Sequence, residues 1–211
     1  MTRLDGFDWQ ATEAELDREG QAVLAGVLSR AECAELATLP DGAKEPETLA
    51  RVAALRARLY EKLVPIANRW NTTMRIPVRY PARLDQLLRN CRAAGQATPQ
   101  SGIVRLRSRQ RRPLRQDADG DYIFPLQATV LVTQPGEDFT GGEVVITEQR
   151  PRMQSRPMVL PLQRGDAAVF AVHHRPCKGS RGSYRVNLRH AVSEVRSGER
   201  IALELLFHNA P

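Results

Sequence analysis

The sequence predicts an α+β fold in which N-terminal helices brace one sheet of a single antiparallel β-domain, a sandwich or a barrel. Two observations carry this. Before residue 100, apolar residues recur at helical spacing, whereas from Ile103 to His208 they fall in short β-branched runs separated by Gly, Pro and Asp. Neither an internal repeat nor a low-complexity linker divides the 211 residues. The expectation is therefore one domain over 1–211, with residues 1–100 a mainly helical elaboration on the sheet and 101–211 the β core.

The elements follow in order. Ser29 and Glu32 have capping-box spacing, in which the hydroxyl accepts a backbone N–H and the carboxylate reaches back, and Leu36 follows on an apolar face. Pro40-Asp41-Gly42 is a turn. Pro46 suits a first helical turn, after which Leu49, Val52, Leu55, Leu59, Leu63 and Ile66 mark the longest helix. A short helix is expected around Ala82 to Cys91, after Pro77 and Pro81. Strands are expected at Phe124–Val132, Glu143–Thr147, Met158–Leu162, Ala167–Val172, Tyr184–Leu188 and Ile201–Phe207.

Composition narrows the class. Hydrophobic content of 42% and charged content of 26% exclude general disorder. The N-terminal stretch is acidic early and has no apolar core, and no run approaches the roughly 18 apolar residues of a membrane helix, so a cytoplasmic protein with no membrane span is expected. Cys33, Cys91 and Cys177 are far apart and odd in number, which suits reduced thiols. A net charge of +7 permits an acidic partner, an anionic metabolite or nucleic acid. Against nucleic acid stands an aromatic content of 5%, with no aromatics among the arginines of 105–115. Arg105, Arg107, Arg109 and Arg111 share strand parity and predict one cationic face.

Four motifs carry the chemistry. Near the C-terminus His190-Ala191-Val192-Ser193-Glu194-Val195 leads to Gly198, Arg200 and an apolar strand. Upstream stand Asp138-Phe139-Thr140-Gly141-Gly142-Glu143 and Arg164-Gly165-Asp166, and before them Phe124-Pro125-Leu126-Gln127. In this order they resemble the Fe(II)/2-oxoglutarate-dependent dioxygenases, the prolyl-hydroxylase-like superfamily. Within it the chain is similar to a group of bacterial 2OG-Fe(II) oxygenases that also share Glu148–Arg156 and His173-His174-Arg175-Pro176. The resemblance spans about residues 100–208. It implies a jelly-roll, the cupin-like double-stranded β-helix, with Fe(II) and 2-oxoglutarate as cofactors. By position it makes His190 an iron ligand and Arg200 the anchor of 2-oxoglutarate.

The same template expects His-x-Asp before Phe124, where the chain has Leu114-Arg115-Gln116-Asp117. Asp117 matches the carboxylate ligand. Arg115 stands at the histidine position, and a guanidinium has no lone pair to offer a metal. Two apart on a strand, Arg115 and Asp117 face the same side and predict an ion pair. His174, or His173, is the candidate to rescue the missing ligand. The run Asp117–Asp121 lacks the glycine and glutamate of a calcium loop. A strand and substrate loop expected of relatives is absent near Leu39–Thr48.

Two functions follow. In the favoured one the chain is a metal-deficient homologue that keeps the barrel as a binding or partner module, taking 2-oxoglutarate or another dicarboxylate, an acidic protein or an active paralogue. The alternative is an active dioxygenase hydroxylating an unidentified substrate through Asp117, His190 and a rearranged third ligand.

Overall fold

The computed structural model describes residues 3–43, 50–180 and 182–211. After a 3-10 turn at Arg3–Gly6 come α1 (Trp9–Glu19), β1 (Gln21–Leu24), α2 (Arg30–Ala37), α3 (Ala50–Thr73) and α4 (Leu84–Ala93). Ten strands follow: β2 (Gly102–Arg107), β3 (Arg112–Arg115), β4 (Leu126–Leu131), β5 (Phe139–Gly141), β6 (Val144–Gln149), β7 (Arg156–Leu160), β8 (Ala167–Ala171), β9 (His174–Gly179), β10 (Gly182–Val192) and β11 (Val195–Leu206).

These strands make two antiparallel sheets. The first runs β1-β8-β4-β11-β2, with β5 paired to β11, and the second runs β3-β10-β6-β7, with β9 paired to β10. Along the chain β2, β4, β8 and β11 alternate between sheets with β3, the β6–β7 hairpin and β10. The fold is thus a double-stranded β-helix. β4 is buried at every position because it lies mid-sheet with side chains on both faces covered.

Helices cover the outer face of the first sheet. Tyr60 of α3 packs against Phe124 and Phe207 with ring centroids 5.0 and 5.9 Å away, so the odd-numbered face of β11, Ile201, Leu203 and Leu205, is the one turned to α3. Arg200, Ala202 and Glu204 therefore point into the space between the sheets. The capping box of α2 is present, with the Glu32 backbone N–H donating to Ser29 Oγ at 3.2 Å. The readings at Pro46 and Leu49, and part of the Leu39–Thr48 reading, fall outside the described residues.

Two features depart from expectation. The helical half also supplies a strand, β1, which extends the first sheet by pairing with β8. It is set by α1, whose cap Asp8 accepts from the Ala11 backbone N–H and whose end is turned by Gly20 at φ 75°. A Cβ at Gly20 would lie 2.6 Å from Arg175 Cδ, so the position needs glycine for space as well as for its dihedral. Lastly, the arginines at 105–111 form no continuous face. β2 ends at Arg107, Arg109 sits at φ 67°, and the chain reverses there into β3. Arg105 turns inward and donates to the Leu39 carbonyl (2.9 Å) and to Glu199 (2.7 Å), while Arg107 takes the other Glu199 oxygen at 3.0 Å. The stripe is spent on holding the α2–α3 connection and the edge of the sheet.

Candidate functional site

β3 and β10 are neighbours, and their register sets Arg115 opposite His190. The chain leaves β3 through Gln116, whose amide donates to Asn187 Oδ1 and to the Leu188 carbonyl, both at 2.6 Å. This anchors the segment against β10 and aims Asp117 at the barrel mouth. His190 Nε2 lies 3.1 Å from Asp117 Oδ2. Gln127 of β4 places its amide nitrogen 3.3 Å from the imidazole ring, and Phe170 packs on that ring at 5.0 Å. Asp117, His190 and Gln127 thus converge from three strands or their ends.

Arg115 completes the cluster. Its Nε donates to Asp117 Oδ1 at 2.9 Å, and its Nη2 reaches Glu204 Oε1 at 3.3 Å. Arg112 Nη1 donates to Glu204 Oε2 at 3.0 Å. Burial alone pushes the Asp117 carboxyl up, but the hydrogen bond from His190 and the charges of His190 and Arg115 outweigh it and hold it well below the usual carboxylate range. The cavity bounded by Asp117, Gln127, His190 and Glu204 measures about 10 Å³, room for about one water.

Arg200 differs from its cationic neighbours. It is 1% exposed, and its Nε and Nη1 have no hydrogen-bond partner. Burial pushes the guanidinium down to about 10, offset by Glu204 and reinforced by Arg112 and Arg115, so it stays charged at neutral pH. It lines a cavity of about 380 Å³ with Thr140, Gly142, Leu131 and Leu160, at the end of the barrel where β4 leaves and β11 enters. Gly142 makes this approach possible, since a Cβ there would lie 2.8 Å from Arg200 Cδ. A buried cation with unused donors beside a cavity suits a carboxylate.

His173 and His174 lie at the head of β9, where their rings meet edge to face at 4.6 Å. No contact among the described residues joins either ring to Asp117 or His190, so the structure does not bring them into the cluster. Burial lowers His173 to about 4, with the neighbouring His174, His208 and Arg185 adding to the effect, and it lowers His174 as well. Among the described residues no three His, Cys, Asp or Glu side chains converge on one point that could hold a metal ion. The donor set at the mouth is Asp117 and His190, with the Arg115 guanidinium against Asp117. It does not fit Fe(II) as a facial triad, whereas Arg200 fits an anion.

Sequence reasoning did not single out Glu204. The signal was present: it is the one acid inside the apolar strand Ile201–Phe207, with the parity of Arg200, and so it faces the lumen.

Residues 45–210 match a family described as an oxygenase catalysing oxidative methylation of damaged DNA. The chain belongs to this oxygenase family. An uncharacterized protein of Mycobacterium tuberculosis is 40% identical over 166 residues, 78% of this chain and 71% of its own length. Among solved structures, an oxidoreductase of the 2OG-Fe(II) oxygenase family from Burkholderia pseudomallei is similar in fold. Its TM-score is 0.57 at 18% identity, covering 97% of this chain and 92% of that one. A prolyl-4-hydroxylase of Pseudomonas putida gives a TM-score of 0.53 at 15% identity, covering 95% and 91%. These likenesses agree with the double-stranded β-helix described above for this chain, and no helix among the described residues is long and apolar enough to cross a membrane.

Proposed function

We propose that this chain is a metal-deficient member of the oxygenase family that keeps the barrel as a binding module. The single observation behind this reading is the Arg115 guanidinium lying on Asp117 at 2.9 Å, at the position where the sequence resemblance expects a histidine ligand. A guanidinium there supplies positive charge to the carboxylate but no electron pair to a metal, and like-charge repulsion opposes a divalent ion beside it. Asp117 and His190 then serve as partners of Arg115 and of each other. Arg200 supplies the binding function, holding the carboxylate of a small acid such as 2-oxoglutarate through donors that no side chain of the protein takes.

The test is an anaerobic calorimetric titration of the purified chain with Fe(II), and with Mn(II) as a redox-inert substitute. The expected result is no stoichiometric binding at micromolar metal. One equivalent bound in that range overturns the reading and restores the alternative, an active dioxygenase using Asp117, His190 and a rearranged third ligand.

The partner to test first is damaged DNA, because the family description names it. A binding module that no longer oxidises would retain such DNA with an affinity falling steeply with salt. Absent or salt-independent retention turns the search to an acidic protein or an active paralogue.

A further inference from the structure

We propose that Glu204 is the counter-ion that locks Arg115 inside the barrel, so that this internal ion pair fills the space where a metal ion and a metal-chelating carboxylate ligand would meet. The inference rests on the metal-deficient reading and deepens it: the lost ligand is matched by a second residue that bars a small acid held at Arg200 from the space beside Asp117 and His190.

The geometry carries the argument. β11 presents Arg200, Ala202 and Glu204 in turn to the lumen, so a dicarboxylate held at Arg200 and extended towards Asp117 and His190 must pass the Glu204 side chain. That side chain is held from the far side by two arginines, with Arg112 at 3.0 Å and Arg115 at 3.3 Å. In a regular strand residues three apart point to opposite faces, so Arg112 and Arg115 could not reach one carboxylate. Here the β3–β10 register slips: His190 pairs with Arg115 and Val192 with Arg112, so three steps on β3 oppose two on β10. The irregularity turns both guanidinium groups inward. Around the result only about 10 Å³ remains free, too little for a five-carbon diacid.

Charge agrees with geometry. Arg112 and Arg115 are matched by Glu204 and Asp117 within hydrogen-bond reach, with Arg115 Nη1 left over, whereas Arg200 has both Nε and Nη1 unused. At the mouth of the barrel the guanidinium groups are paired with carboxylates, and at its base Arg200 keeps donors free for an anion.

This predicts that restoring the histidine is not enough. In R115H, Asp117 and His190 regain a third ligand and bind Co(II), read from its visible absorption. Glu204, still held by Arg112, continues to keep a 2-oxoglutarate held at Arg200 from reaching that metal. The charge-transfer band of an anaerobic Fe(II) and 2-oxoglutarate mixture is therefore expected in R115H/E204A and at least ten-fold weaker in R115H at the same concentrations. A band of equal strength in R115H, or none in the double variant, overturns the proposal. Metal binding by the unaltered chain overturns the metal-deficient reading instead, so the two failures are distinct.

A second measurement covers poor folding of the double variant. The melting shift caused by E204Q should shrink by half or more when R115M is already present, because the partner is gone. Equal shifts in the two backgrounds overturn the lock.

Discussion

At the scale of single residues, the chain holds its charges in pairs whose loss is costly. The Arg175 and Glu148 side chains are both almost fully enclosed, with Arg175 Nε donating to Glu148 Oε2 at 3.0 Å and Arg150 donating to the other oxygen at 2.7 Å. Arg175 also donates to the Asp17 carbonyl at 2.9 Å, which ties α1 to the second sheet. Removing one partner strands a buried charge, so Glu148→Gln should cost about 3 kcal/mol in urea denaturation. A loss below about 1 kcal/mol would show that the pair is solvated in solution.

The Arg115–Asp117 pair was legible in the sequence because strand spacing alone puts i and i+2 on one side. Glu204 was legible as a lumen-facing acid but not as the partner of Arg115, since nothing in the chain order says that β3 would carry its arginines to β11. The histidines at 173 and 174 illustrate the opposite case. Their type suits a metal, yet position at the head of β9 turns them towards each other.

At the scale of elements, what the sequence made legible were those with clean periods. The spacing of Val52, Leu59, Leu63 and Ile66 marks α3, and the apolar runs mark β4, β8 and β11, because burial on known faces leaves a regular trace. α1 escaped because its eleven residues bury only Thr12 and Leu16 fully, too few to show a period. The 105–111 segment escaped for a different reason. Its parity is real, but Ser108-Arg109-Gln110 contains neither Gly nor Pro to announce the reversal, and Arg109 takes the left-handed conformation without them.

Glycine at the end of α1 is where an element depends on one position. Gly20→Ala must adopt φ near 75° and find room 2.6 Å from Arg175 Cδ. The expected cost is about 2 kcal/mol or more, read as a lower urea midpoint with unchanged m-value. Its sign separates strain from entropy: a helix-favouring effect of alanine would raise the midpoint, and the clash lowers it.

At the scale of the whole molecule, the same burial that closes the lumen makes stability depend on pH. Burial lowers His173 and His208 from 6.5 to about 4, and the Asp117 carboxyl is depressed from 3.8. Around His173 stand His174, His208 and Arg185, and around His208 stand Arg56, Asp119 and the Asp117 carboxylate. For the histidines the unfolded chain takes up protons first as pH falls below 6.5, because the folded protein resists them until about 4. Unfolding is therefore favoured progressively across that window.

Asp117 acts in the same direction but lower. Its contribution is complete above about pH 4, and is lost as pH falls towards its depressed folded value. Even half of the shift on each histidine amounts to about 3 kcal/mol, a large part of the roughly 5–15 kcal/mol of an ordinary domain. Urea midpoints should hence fall steadily from pH 7 to pH 4.5 and fall further below pH 4. His173→Gln should flatten the upper part of that slope while leaving the lower part in place, because Asp117 is untouched. A midpoint constant between pH 7 and pH 5 would mean that water reaches both imidazoles and that this end of the barrel opens in solution.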